Sequence, residues 1–166
     1  YRYPFSTVLT YMITATMLGI ARSAIDSHIE MMRTRRRASF AGEKAAENVF
    51  SQKRVADADC IVSASILQLR HNLKEMRSYL ERGEAPPEEL RMRIRRDQTF
   101  GSVSAINATN MVFENSGGNA LFLDNPIQRA WRDVNAARVH AANEWERAAT
   151  AYGARLLGAP YSPANS

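Results

Sequence analysis

Val62-Ser63-Ala64-Ser65-Ile66-Leu67-Gln68-Leu69-Arg70-His71-Asn72-Leu73-Lys74-Glu75-Met76-Arg77-Ser78-Tyr79-Leu80 reads as a helix, and Glu81-Arg82-Gly83-Glu84-Ala85-Pro86-Pro87 as its stop. Counted from Val55, the apolar positions Val62, Ile66, Leu69, Leu73, Met76 and Leu80 follow at steps of seven, four, three, four, three and four. That spacing stacks them on one helical stripe and predicts a helix from about Glu43 to Arg82. Gly83 suits a C-cap, and Pro87 disfavours helix at Pro86.

The same rhythm extends in both directions. Upstream, Phe5, Val8, Leu9, Met12, Ile13, Met17, Ile20, Ala24 and Ile29 mark a helix that Pro4 opens and that continues to about Arg36. Downstream, Leu90, Ile94, Val103, Ile106 and Phe113 face inward on a helix from about Pro87 to Asn115. Ser116-Gly117-Gly118-Asn119 then forms a flexible loop. Asp124 or Asn125 serves as N-cap for a last helical region with Pro126 in its first turn, whose inner face carries Ile127, Ala130, Trp131 and Val134. After His140 the pattern restarts at Trp145, Ala148, Ala149, Tyr152 and Leu156, so a bend is expected there. No segment alternates as a strand does. The expected fold is all-α, an up-down-up-down four-helix bundle over residues 1–166, without a sheet, burying Met12, Ile13, Ile66, Leu69, Leu73, Ile106 and Trp131.

Composition agrees with this reading. Of 166 residues 25 are alanine, against 8 Gly and 6 Pro, and 45% hydrophobic with 23% charged is a globular balance. One cysteine, Cys60, excludes an internal disulfide framework and a multi-thiolate metal site, and it reads as a small core residue. The stretch Val8 to Ala21 contains Thr10, Tyr11, Thr14 and Thr16 and is short for a bilayer. With no secretory leader, the expectation is a cytoplasmic protein that does not engage a membrane. A chain opening on Tyr1 fits a segment of something longer.

The net charge is +5, and 19 of the 22 basic residues are arginine. They cluster at Arg33, Arg35, Arg36, Arg37 and at Arg91, Arg93, Arg95, Arg96. Such clusters read as solvated helix ends or partners of nearby acids; a phosphate, from a cofactor or from nucleic acid, is the alternative. No zinc-finger, RNA-recognition or basic-zipper pattern accompanies them, so nucleic acid is not expected as a partner. Apolar residues on more than one face of the long helices predict association into a dimer or tetramer. No nucleophile elbow, phosphate loop, Glu-x-x-His pair or other metal-ligand motif is present. His28 and His71 read as core-edge or surface histidines, and the methionines as core filler.

From Glu114 the chain runs Glu-Asn-Ser-Gly-Gly-Asn-Ala-Leu-Phe-Leu-Asp-Asn-Pro-Ile-Gln-Arg-Ala-Trp-Arg-Asp-Val-Asn-Ala-Ala-Arg-Val-His. This resembles the end of the acyl-CoA dehydrogenase superfamily, where a Gly-Gly turn leads into a helix carrying an Arg-Asp pair. Gly117, Gly118, Pro126, Arg129, Arg132 and Asp133 fall on that pattern. Upstream, Arg37-Ala38-Ser39-Phe40 resembles the family's Arg-x-x-Phe element, and Phe50-Ser51-Gln52 with Val55-Ala56-Asp57 its helix entry. The resemblance implies the C-terminal helical domain of a three-domain flavoprotein that assembles as a tetramer. It implies a flavin cofactor, FAD or FMN, held mainly by domains absent here, with Arg37, Phe40, Gly117 and Gly118 reaching its phosphate end, which in FAD is the pyrophosphate and adenosine. Physically, Arg37 can fork onto a phosphate, Phe40 offers a stacking face, and Gly117-Gly118 lets backbone approach closely.

Two departures bear on activity. Dehydrogenases of this family with their base on this helix carry a Glu-Gly-Thr element, where this chain has Arg138-Val139-His140-Ala141-Ala142-Asn143; the Gln that often opens the Gly-Gly element is Glu114. The run Gln128-Arg129-Ala130-Trp131-Arg132-Asp133 followed by His140 is instead similar to the two-component flavin-dependent monooxygenases of the superfamily. That resemblance implies a separate reductase supplying reduced flavin, an aromatic or polycyclic substrate, and His140 as the catalytic group. An imidazole there can accept a phenol proton or hydrogen-bond the activated oxygen. This segment alone is then expected to be inactive. The alternatives are an acyl-CoA dehydrogenase-like enzyme with its base elsewhere and a stand-alone helical interaction module.

Overall fold

A computed structural model describes residues 3–37 and 42–161, with the side chains of Arg37 and Glu43 left out of that description. Five helices account for most of it: α1 Phe5–Thr34, α2 Val49–Glu81, α3 Glu88–Ser116, α4 Pro126–Arg138 and α5 Trp145–Leu156. Short 3₁₀ turns, Ala45–Glu47, Gly117–Leu121 and Ala141–Asn143, precede α2, α4 and α5. α3 is central and packs against the other four; α1 also packs against α2 and α4. The all-α reading holds, with α4 and α5 as the two halves of the expected last helical region. One departure is a two-residue antiparallel ribbon, β1 Arg36–Arg37 against β2 Glu43–Lys44, in register Arg36↔Lys44 and Arg37↔Glu43.

Helix ends follow local chemistry. Asn125 Oδ1 accepts from the Ile127 N–H at 2.9 Å ahead of Pro126, and Asn48 Oδ1 accepts from the Ser51 N–H at 3.0 Å. Gly83, at φ 73°, turns the chain after α2.

The expected inward faces are only partly right. Leu69 and Ile106 are buried, but Met12 is 63% exposed, Leu73 lies at the surface, and Ile13, Ile66 and Trp131 are half-buried. In α1 the buried stripe is Tyr11, Thr14, Leu18, Ala21, Ile25, His28 and Met32, leaving Phe5, Val8, Leu9 and Met12 outside. In α2 it is Ala58, Val62, Ser65, Leu69, Asn72 and Met76. Each keeps the three-four step but is rotated from the most apolar side. Cys60 is exposed rather than in the core.

The rotation of α1 has a steric cause in α3. A Cβ built on Gly101 would lie 2.9 Å from Thr14 Cγ2, so the two helices meet where one has no side chain. Thr14 is held in that contact by its hydroxyl, 2.9 Å from Ser102 Oγ and within reach of the Gln98 carbonyl. By length and composition α1 could cross a membrane, with a mean hydropathy of 1.4 in its most apolar window. Here its buried stripe, including Thr14 and His28, is spent on three neighbouring helices.

His28 is fully buried at the other end of α1. Asn115 Nδ2 donates to its Nε2 at 3.0 Å, so Nδ1–H donates to Ser116 Oγ at 2.8 Å, whose own proton goes to the Val112 carbonyl at 2.7 Å. Ser51 Oγ donates to Asn115 Oδ1 at 3.1 Å. Burial, and then the charge of Arg35, push the imidazole pKa down to about 4. The ring is thus built in as a neutral group.

Two expectations follow. Gly101→Val drives a side chain into Thr14 and lowers stability by about 1–3 kcal/mol, the usual cost of overpacking; an unchanged denaturation midpoint would show that α1 and α3 separate freely. His28 stabilises the fold fully above its unfolded pKa near 6.5, and that share is lost as the pH falls from there toward 4, on the order of 3 kcal/mol. Urea titrations at pH 7 and 4.5 of wild type and His28→Gln check this, and equal pH sensitivity of the two would refute it.

Candidate active site

The Ser116-Gly117-Gly118 turn is built from both sides. Gly117 caps α3 at φ 60°, ψ −153°, a conformation that glycine adopts without strain. The Arg35 guanidinium donates to the Ser116 carbonyl, and a Cβ on Gly117 would come within 3.3 Å of Arg35 Nη2. His28 fixes Ser116 from the core side. Arg35, which stood in the sequence as one member of a basic cluster, is therefore what clamps the turn. Gly117 and Gly118 are both exposed, and a Cβ on Gly118 would meet nothing within 4 Å, so the backbone there is open to a ligand. Arg37 contributes its backbone to β1; its side chain and the whole of Phe40 lie outside the described residues.

At the other end of α4 the chain leaves the helix through Val139, and His140 caps the turn Ala141–Asn143. The Ala142 N–H donates to His140 Nδ1 at 3.1 Å and the Asn143 N–H to the His140 carbonyl at 2.8 Å. Since Nδ1 is an acceptor, the neutral ring carries its proton on Nε2. His140 is exposed and lines a cleft of about 410 Å³ with Val103, Ile106, Asn107, Trp145 and Glu144. Trp145 is half-buried and leans on Phe100, ring centroids 5.3 Å apart. The cleft thus has an apolar wall, an imidazole and carboxylates at one rim.

Sequence reasoning missed two parts of this cleft and one residue that braces the turn beside it. Trp145 stands in its wall, where the sequence offered it only as core. Glu144 and Glu146 line it too, just beyond the segment Arg138–Asn143 that carries no carboxylate. Arg95 reaches across from α3 to donate to the Ala142 carbonyl at 2.7 Å; burial, and then the Arg147 charge, lower its pKa. The signal for Arg95 was its inward register on α3, masked by its place in a basic run. His140 and the Gly117-Gly118 turn are not brought together: they flank α4, one after its end and one before its start.

Comparison with known proteins places this geometry in a family. The family described as "Acyl-CoA dehydrogenase, C-terminal domain" matches residues 11–145. A flavin-dependent monooxygenase, oxygenase subunit HsaA, of Rhodococcus jostii (strain RHA1) is 42% identical over 160 residues, 96% of this chain and 42% of that protein. The FADH(2)-dependent resorcinol hydroxylase, oxygenase component, of Rhizobium sp. (strain MTP-10005) is 29% identical over 95% of this chain and 40% of its own. The crystal structure of 3-HSA hydroxylase from Rhodococcus sp. RHA1 superposes with a TM-score of 0.89 at 41% identity, over 99% of this chain and 42% of that one. The chain spans about two fifths of the length of the curated relatives it matches. With the Gly-Gly turn, the capped α4 and a bundle centred on α3 in place, the chain belongs to the acyl-CoA dehydrogenase C-terminal domain family.

Proposed function

We propose that this chain is the C-terminal helical domain of the oxygenase component of a two-component flavin-dependent monooxygenase that hydroxylates an aromatic or polycyclic substrate. The observation that carries the reading is the imidazole of His140 on the rim of a cleft walled by Val103, Ile106 and Trp145. Relatives whose names describe oxygenase subunits or components support it. Reduced flavin, delivered by a separate reductase and held mainly by further domains, supplies the electrons that activate O₂.

This chain's residues then have distinct tasks. Gly117 and Gly118 let backbone approach the phosphate end of the cofactor, and their exposure fits that role. Arg37 and Phe40 keep the phosphate-pairing and stacking roles the family resemblance assigns. His140 offers an N–H from Nε2 to an oxygen at the reacting centre; to take a proton it would use the Nδ1 lone pair, once the ring turns away from the Ala142 N–H. The apolar wall excludes water from an aromatic ring. The outward stripe of α1, with Phe5, Val8, Leu9 and Met12, is where copies of the full-length chain pack into a dimer or tetramer. Glu144 keeps a second reading in play, an acyl-CoA dehydrogenase-like enzyme with that carboxylate as base.

His140→Ala in the full-length protein leaves reduced-flavin binding nearly intact and lowers hydroxylation by roughly 10²–10⁴-fold, with hydrogen peroxide appearing in place of product. Normal product yield would leave His140 structural. Turnover of an acyl-CoA with an artificial electron acceptor, without reductase and abolished by Glu144→Gln, would establish the second reading instead. Gly118→Val tests the turn: open space beside it keeps stability within about 0.5 kcal/mol, while flavin binding weakens by about tenfold. Unchanged flavin affinity by fluorescence titration would remove the turn from the cofactor site.

A further inference from the structure

Gln98 is a fully buried amide in the middle of α3, and its partners explain its presence. Its Nε2 donates to Thr14 Oγ1 at 2.7 Å and to the Ala142 carbonyl at 3.1 Å, with Asn143 Oδ1 at 3.3 Å. Its Oε1 accepts from Arg95 Nη1, which also donates to the Ala142 carbonyl. Asn143 is buried as well. Its Oδ1 accepts from Ser102 Oγ at 2.8 Å, and its Nδ2 donates to the Ala137 carbonyl in α4 at 2.8 Å. The Thr14 and Ser102 hydroxyls, 2.9 Å apart, close the set.

The cluster is costly to bury unless satisfied, and an apolar interior of the same volume would bury as much surface without that cost. What the apolar alternative would lack is a grip on the turn Ala141–Asn143. The network fastens the Ala142 carbonyl and the Asn143 side chain. Those two residues supply both N–H groups that hold His140, one to its ring Nδ1 and one to its carbonyl. We propose that Thr14, Gln98, Ser102 and Asn143, with Arg95, are positioning residues that keep the His140 imidazole fixed as its Nε2–H tautomer at the cleft, so that the ring presents a hydrogen-bond donor. This rests on the reading of His140 as the working imidazole. It adds the form in which the ring works: a donor at Nε2, with its lone pair turned into the backbone.

The two can be tested apart. Diethyl pyrocarbonate acylates an imidazole nitrogen through a free lone pair, and the rate at each histidine is read by mass spectrometry of the full-length protein without flavin. His71, exposed on α2, and His28, buried, are internal references. In wild type His140 reacts more slowly than His71. Gln98→Met, close in shape but without the amide, speeds acylation of His140 by about 2–10-fold, the range set by one net hydrogen bond, while His71 is unchanged and His28 stays protected. An unchanged His140 rate with His28 protected overturns the proposal. If Gln98→Met exposes His28, the bundle has loosened. Ser102→Ala, which removes only one donor to Asn143, then takes its place under the same criterion.

Activity gives a second criterion through a double-mutant cycle. Gln98→Met lowers product formed per O₂ consumed in the wild-type background and has no further effect beside His140→Ala; equal losses in both backgrounds would make the network structural and overturn the proposal. Should His140→Ala itself cost no product, the function proposed for His140 fails. The acylation rates then still decide whether the network sets the ring's tautomer.

Discussion

One amide, that of Gln98, ties α1, α3 and the turn ahead of α5 to a common point. It has no exposure, and its donors and acceptor are used on Thr14 of α1, the Ala142 carbonyl of the turn and Arg95 of its own helix. Hydrogen bonds are directional where apolar contacts are not, and a buried amide left unpaired is penalised far more than a paired one is rewarded. Helix positions that satisfy Gln98 are therefore few. The close approach at Gly101, the setting of α1 and the path of the chain past His140 all conform to that requirement.

The two histidines of greatest interest are held in opposite ways. His28 donates from Nδ1 and accepts at Nε2, has no exposure, and serves as a neutral strut beneath Ser116. His140 accepts at Nδ1 from backbone, carries its proton on Nε2 and lines the cleft. Their sequence contexts do not show this difference. It arises because one sits on the inward stripe of α1 and the other at the start of the turn Ala141–Asn143, where unpaired backbone N–H groups need acceptors. The same contrast separates Arg35 and Arg95, which each hold a backbone carbonyl of a turn, from the solvated arginines such as Arg33 and Arg77 that pair with acids along their own helices.

The helices, their order and most of their ends were legible in the sequence. Three-four periodicity survives any rotation of a helix, and caps such as Asn125-Pro126 and Gly83 are local chemistry. The angular settings of α1 and α2 were not legible from hydrophobicity, because both helices carry apolar residues on two sides and the buried stripes include Thr14, His28, Ser65 and Asn72. A signal existed in Gly101, a glycine deep inside a helical pattern with no turn nearby, which marks a close approach. Gln98 and Ser102, four residues apart on its flanks, marked the polar face that approach serves. Of the candidate site, the Gly-Gly turn and the place of His140 after α4 follow from the order of the motifs. The network behind His140 could not, since it joins residues 14, 98, 102 and 143 that only the packing of three elements brings together. The two-residue ribbon gave no signal either: two residues on each side are too few to show alternation.

The two-sided character of α1 has a consequence for how uniquely the fold is specified. Turned about its axis, a helix with leucine, valine and methionine on its outer side as well as its inner could bury nearly as much apolar area in the wrong orientation. Burial alone would then leave several near-degenerate packings, the signature of a rough landscape. Thr14 and His28, fourteen residues apart on one stripe, act as two pins that fit only one rotational register: one matches the gap at Gly101, the other the Asn115-Ser116 pair. Replacing both with aliphatic side chains would raise hydrophobicity while dissolving the distinction between orientations. The molecule's singularity of structure is thus written in the polar minority of its most apolar helix.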